Sequence, residues 1–257
     1  MKNIKIPKIL HYVWLGGKKP KLIQDIILNW KTILGSEWII KEWNETNFDI
    51  ETHKFTKHHY KRKNWAFVSD YIRAYAVYQE GGFYFDTDIQ LFKTLDTFLN
   101  NDFVASRIWG INLTASSFGS IPKSKILKDY LNAYNNWFIK ITQPKIMSSQ
   151  IMSVAVYNSY KYSMTKNTET KDGILILNEN VLQVITNKKD SIAVHLHHDN
   201  WKGKKDNLND NSFYLKKQRI AKEPLSKKRI IKSKKELMKN SKTINKFISK
   251  KQNQTFN

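Results

Sequence analysis

The stretch from Asn64 to Asp88 constrains this chain more than any other. Apolar residues at 65, 68, 72, 75 and 76 recur at helical spacing, and Gly81-Gly82 stops that helix because glycine tolerates the left-handed cap. Phe83 to Phe85 reads as a strand whose tip carries Asp86 and Asp88. Side chains alternate along a strand, so carboxylates at i and i+2 face the same way. Like charges on one face repel unless a cation sits between them, which points to a divalent metal held by oxygen ligands. Such an ion suits a substrate carrying phosphates. Asp70 and Arg73 lie i, i+3 on the helix and can pair. They read either as a charged couple aimed at a polar ligand or as a surface ion pair beside the core.

These residues carry a resemblance. Trp65 to Asp88 resembles glycosyltransferase family 32, whose sugar-binding region reads Ser-Asp-x-x-Arg and then Gly-Gly-x-Tyr-x-Asp-x-Asp. Ser69, Asp70, Arg73, Gly81, Gly82, Tyr84, Asp86 and Asp88 fill every fixed position. Ile6 to Gly17, with Pro7, Lys8, His11 and Trp14, is similar to the family's opening strand. Ala193 to Trp201 is similar to a third motif: His195 and Trp201 keep register, while Leu196 and Asn200 depart from it. The resemblance spans residues 6 to about 201.

It implies an α/β fold of the GT-A type, with a mixed central sheet flanked by helices. The catalytic domain is expected over 1–201, and 202–257 as its basic, helical C-terminal extension. The implied activity is retaining transfer from a nucleotide-sugar donor, with Mn²⁺ or Mg²⁺, to a glycan or lipid-linked glycan of capsule or lipopolysaccharide synthesis. A UDP-sugar is favoured and a GDP-sugar is the alternative. The large clostridial cytotoxins share the acidic arrangement, so a protein acceptor stays open. An inactive nucleotide-sugar-binding protein stays open too, because the third motif is altered. By the same resemblance Trp14 stacks on the base, and Asp70 and Arg73 hold sugar and ribose hydroxyls. Tyr84 lies near ribose or phosphates, Asp88 ligates the metal, Asp86 contacts metal and ribose, and Trp201 joins the donor side. The catalytic set is Asp86, Asp88, Arg73 and Asp70. His195 is the expected third ligand, with His197 and His198 as alternatives. Imidazole beside carboxylates favours Mn²⁺ over a purely oxygen-loving cation. His11 reads as structural.

Composition narrows the classes further. The 257 residues suffice for one α/β domain with a substantial core. Cysteine is absent, which excludes a disulfide framework and a thiolate nucleophile. Met1 to Pro7 lacks the apolar run of a signal peptide, and no stretch is apolar enough to span a bilayer, so a cytoplasmic protein, peripheral on the inner membrane face, is expected. Net charge is +22, and residues 202–257 hold 18 Lys or Arg against 4 acids. Apolar residues at 225, 230, 231, 237, 238, 244, 247 and 248 partly fit basic amphipathic helices that bind an anionic membrane surface. The plain alternative is a solvated lysine-rich tail. Nucleic acid ranks below a membrane, for no base-reading motif is present.

Along the chain, strands are expected at 6–14, 37–43, 83–85, 103–108, 174–177 and 192–196. Helices are expected from Pro20, within 44–63, and over 64–79, 123–140 and 146–160. Asn112 to Ser120 is rich in small polar residues and is expected to line the donor pocket, beginning with Asn112.

Overall fold

A computed structural model describes residues 4–108, 112–135, 146–163, 165, 167–185, 189–197 and 226–248. The chain opens as strand β1 (Ile9–Val13), helix α1 (Lys21–Leu34) and strand β2 (Ile39–Trp43). Helices α2 (Lys54–Tyr60) and α3 (Trp65–Glu80) lead into β3 (Gly82–Phe85) and β4 (Ile89–Leu91). Strands β5 (Phe103–Ile108) and β6 (Asn112–Ser120) precede helices α4 (Lys125–Asn132) and α5 (Ser148–Ser159). Strands β7 (Glu169–Lys171) and β8 (Ile174–Leu177), the short helix α6 (Glu179–Leu182), β9 (Ala193–His195) and α7 (Lys227–Ile248) complete the described elements.

Seven strands form one mixed sheet in the order β2-β1-β3-β6-β5-β8-β7. β2, β1 and β3 run parallel, β6 is antiparallel to both β3 and β5, and β8 is parallel to β5. β4 and β9 pair separately as a small antiparallel ribbon. Both faces of the large sheet are covered, so inner strands such as β3 and β8 read as continuous apolar runs. Phe83 and Phe85 join one cluster with Trp30, Ile23 and Ile26 of α1. Tyr84, between them in sequence, faces the other cluster, built on α3, α4 and α5.

The helix-stop-strand junction is steric as well as conformational. Gly81 closes α3 by donating its N–H to the Val77 carbonyl at 2.8 Å. Gly82 sits at φ +100°, and a Cβ there would lie 2.5 Å from the Ile9 carbonyl oxygen of the neighbouring β1. The second glycine therefore lets β3 press against β1 and carry its tip to the edge where β1 also ends.

Several expectations need adjustment. The strands at 6–14 and 37–43 shorten to Ile9–Val13 and Ile39–Trp43. The helix expected over 123–140 is described as Lys125–Asn132, and residues 136–140 lie outside the described residues. Asn112–Ser120, expected as a polar lining segment, is a central nine-residue strand. Its small residues serve packing: a Cβ at Gly119 would meet the Phe83 ring at 2.4 Å. Strands β4 and β7 and helix α6 were not expected. In α7, Leu237 and Ile244 are buried in the cluster shared with α5, and Glu236 and Asn245 hydrogen-bond to Gln150 and Asn158. The basic helix is thus docked on the domain. The boundary expected at residue 201 lies outside the described residues.

Candidate active site

The site lies where β1 and β3 end. Beyond Phe85, the Asp86 N–H donates to the Ser116 carbonyl at 2.9 Å, and the Asp86 carbonyl accepts the Ile89 N–H at 3.1 Å. Asp86, Thr87 and Asp88 therefore form the turn between β3 and β4, not a continuation of the strand. The alternation argument for the two carboxylates does not apply across a turn, yet they converge. β9 delivers His195 opposite Ile89, and the Leu196 N–H donates to the Asp88 carbonyl at 2.8 Å. His195 Nε2 then stands 3.0 Å from Asp88 Oδ1. Asp86, Asp88 and His195 each offer one ligand atom, and these atoms lie within 4.8 Å of one another. Two oxygens and one imidazole nitrogen at that spacing fit a divalent transition-metal ion.

Behind this trio stands Arg73, a buried guanidinium. Its Nη2 is 3.1 Å from Asp70 Oδ1 and 3.3 Å from Asp86 Oδ1. Nη1 donates to the Ala115 carbonyl at 2.9 Å, Nε to the Ser69 carbonyl at 3.2 Å, and Nη2 also to Ser69 Oγ at 3.1 Å. Its face lies over the Tyr84 ring at 5.0 Å. Arg73 thus ties α3 to β3 and β6, and the Asp70–Arg73 pair is an interior couple rather than a surface one. Tyr84 is fully buried, and its hydroxyl donates to Asp86 Oδ1 at 2.7 Å.

Electrostatics follow from this burial. Burial raises the Asp86 pKa; Arg73 opposes the shift, and the neighbouring Asp88 charge adds to it. Burial disfavours the Arg73 charge, but Asp86, Tyr84 and Asp70 outweigh it and hold the group firmly protonated. Tyr84 is pushed well up by burial.

His195 is itself held from behind. Ser116 Oγ and Gln183 Oε1 lie 3.2 Å and 3.3 Å from its Nδ1. Neither partner was expected individually. Ser116 falls in the stretch singled out for small polar residues, but nothing in the sequence points to Gln183. His197 packs against His195 with tilted rings, centroids 3.6 Å apart, at a left-handed φ of 58°. Of the three histidines weighed as the third ligand, His195 is the one in the Asp86–Asp88 group, while His198 and Trp201 lie outside the described residues.

Trp14 follows the end of β1 on the same sheet edge, partly buried, with its indole N–H donated to the Gly17 carbonyl at 2.8 Å. Asn112 opens β6, about 13 Å along the strand from Ser116. His11 is buried away from the site. Its Nδ1 accepts the Trp43 indole N–H at 3.0 Å, and its Nε2 lies 2.8 Å from the Gly81 carbonyl.

Residues 20–105 match the family model described as the glycosyltransferase sugar-binding region containing DXD motif. Asp70, Arg73, Tyr84, Asp86 and Asp88 all lie inside the match; Trp14 and His195 lie outside it. Among solved structures, the chain is similar to the PaToxG glycosyltransferase (12% identity, 61% of this chain and 70% of that one, TM-score 0.46). It is also similar to a glycosyltransferase involved in glycosylation of the major capsid of PBCV-1 (13% identity, 74% and 94%, TM-score 0.41). No curated protein matches. Residues 20–105 thus match a glycosyltransferase sugar-binding region, and that matched stretch holds both the Asp70–Arg73 couple and the Asp86–Asp88 pair.

Proposed function

We propose that this chain is a divalent-metal-dependent, retaining glycosyltransferase using a nucleotide-sugar donor, with a UDP-sugar favoured, and a cell-surface glycan or lipid-linked glycan as acceptor. The observation that carries the reading is the convergence of Asp86, Asp88 and His195 beside the buried Asp70–Arg73 couple. Asp86, Asp88 and His195 would hold the ion, and the nitrogen ligand favours Mn²⁺. When bound, the ion supplies Lewis-acid neutralisation of charge on the departing diphosphate.

The protein's own groups do the rest. Arg73 and Tyr84 fix Asp86 before substrate arrives, so the site need not reorganise as charge develops. Asp70, partly exposed beside Arg73, accepts hydrogen bonds from donor hydroxyls. Tyr84, enclosed by the protein, acts through Asp86 rather than by touching the ribose. Trp14 offers its ring to the base at the same edge. Retention asks for no protein nucleophile when the acceptor hydroxyl attacks from the face of the leaving group.

The acceptor reading extends to the membrane. Ile231, Lys234, Lys235, Met238, Lys239 and Lys242 line a groove of 530 Å³ on α7. Exposed lysines share this face with Ile231 and Met238, a composition suited to an anionic lipid surface. No described helix is long and apolar enough to cross a bilayer. The deciding experiment is hydrolysis of a panel of nucleotide sugars by the purified protein with Mn²⁺ or Mg²⁺. Turnover of at least one donor is expected. No turnover on any donor would refute the reading.

A further inference from the structure

The head of α3 overhangs the mouth of the site. α3 enters β3 through the single residue Gly81, so the helix runs back along the sheet with its first turn toward the tip of β3. Arg73, midway along the helix, already reaches Asp86 beyond that tip, at 3.3 Å. Trp65 lies eight residues before Arg73. At 1.5 Å per residue that places it roughly 12 Å further out along the axis. There it meets the turn that follows β1, for a Cβ on Gly16 would lie 2.7 Å from the Trp65 ring. Trp14 closes on the same turn through its bond to the Gly17 carbonyl. Glu45 ties this rim together, accepting the Gly16 N–H at 2.9 Å and the Tyr60 hydroxyl at 3.1 Å.

The rim is positively charged. Lys61, Arg62 and Lys63 stand immediately before the α3 N-cap, and all three are exposed. Their turn is pinned: the Lys63 N–H donates to the Tyr60 carbonyl at 2.9 Å and the Asn64 N–H to the His59 carbonyl at 3.0 Å. Arg62 folds back on α2, with Nη1 donating to the His58 carbonyl at 3.0 Å. Among the described residues, Lys61, Arg62 and Lys63 enter no ion pair with an acid, and the nearby Glu51 is taken by Lys57. Glu45 alone does not offset three cations, so the lip stays positive. Fixed charge of one sign at the lip of a cleft concentrates ligands of the other sign there and raises their association rate. The donor of the proposed function carries a diphosphate. We propose that the Lys61–Lys63 turn is an electrostatic rim that captures the diphosphate of the nucleotide donor at the mouth of the site and speeds its entry. This rests on the nucleotide-sugar reading and adds the side from which the donor arrives.

The test is stopped-flow tryptophan fluorescence of the full chain mixed with UDP or GDP, with Mn²⁺ kept too dilute to load the free nucleotide. It is run at about 0.1 M and about 1 M salt, where charges are felt over about 10 Å and about 3 Å. Wild type is compared with Lys61→Gln/Lys63→Gln, with Lys61→Glu/Lys63→Glu, and with the control pair Lys31→Glu/Lys128→Glu. The control lysines are also exposed but belong to the opposite edge of the sheet. Lys31 is in the last turn of α1, and Lys128 is near the start of α4, which follows the Lys123 N–H bond to the Tyr78 carbonyl at the far end of α3. At the lower salt, association should slow about two- to fivefold in the Gln pair and further in the Glu pair, while the control stays within about twofold of wild type. At about 1 M salt the rim variants should converge on wild type, and dissociation should change less than association throughout. Association in the Glu pair equal to wild type at the lower salt, or slowed no more than in the control, would overturn the rim while leaving nucleotide binding intact. So would a slowing that persists at about 1 M salt, because it would mark contact or altered folding instead of steering. If wild type binds neither nucleotide, the nucleotide-sugar reading falls and the rim with it. If the Glu pair does not fold, the Gln pair measured against the control decides.

Discussion

Lowering the pH from 7.5 to 5.0 should destabilise this protein through His11, and the geometry sets the size of the effect. His11 is buried, with Nδ1 accepting from the Trp43 indole and Nε2 against the Gly81 carbonyl. Adding a proton to Nδ1 would set two N–H groups against each other. Burial is the chief cause of a pKa lowered to about 4; the Gly81 hydrogen bond and Glu80 oppose the shift, and Lys41 adds to it. In the unfolded chain the group titrates near its ordinary value of about 6.5. Between those values the unfolded chain binds a proton that the folded chain refuses, so stability is present above pH 6.5 and is lost as pH falls toward 4. Linkage over this window gives a loss of about 2 kcal/mol between pH 7.5 and 5.0, and about 3.4 kcal/mol once pH falls well below 4. His53, also buried and also lowered to about 4, contributes a similar loss. The assay is urea unfolding of wild type and His11→Gln at both pH values. Each protein is compared with itself, so any fixed cost of the substitution cancels. Wild type should lose about 2 kcal/mol more than the variant over the interval. An equal loss in both proteins would refute a neutral, buried His11.

Three further outcomes are expected. Asp88→Asn should weaken Mn²⁺ binding more than tenfold, equivalent to more than about 1.4 kcal/mol, without lowering the unfolding midpoint by urea; an unfolded variant would make the pair structural. Arg73→Ala leaves Asp70 and Asp86 as unpaired interior charges and should cost about 3–5 kcal/mol in chemical denaturation, so an unchanged midpoint would show that the ion pairs do not hold the site together. Replacing Lys234, Lys235, Lys239 and Lys242 together by Gln should weaken binding to vesicles containing anionic lipid by about 4 kcal/mol, near a thousandfold; cosedimentation equal to wild type would dismiss the α7 face.

What was legible in the sequence is what local chemistry decides. Trp65–Glu80, the Gly81-Gly82 stop and the carboxylates beyond Phe85 follow from helical spacing, a left-handed cap and adjacency, all confined to a short run. Strand β6 was not legible because its Ser, Ala and Gly residues resemble loop composition. They make a strand because β3 and β5 pair on either side and the Phe83 ring occupies the space a larger residue at position 119 would need. Gln183 and Ser116 were invisible for a different reason. They are far apart in the chain and meet only because β6 and the residues after α6 both reach His195, and no spacing rule links such positions.

Arg73 joins the legible to the illegible part. Its pairing with Asp70 follows from i, i+3 spacing, but its second carboxylate, Asp86, is reached only through the packing of α3 against β3. That contact changes the meaning of the motif. Asp70, Asp86 and Asp88 set three carboxyl groups around the one guanidinium of Arg73. Arg73 is already engaged with Asp70, Asp86, Ser69 and the Ala115 carbonyl. Asp88 and His195 lie on the side away from the guanidinium, where the divalent cation proposed above would balance the outer carboxylate. The Asp-x-x-Arg and Asp-x-Asp elements thus act as one electrostatic unit, in which the arginine pairs with the inner carboxylates and, in the proposed function, the outer one and the imidazole would serve the metal.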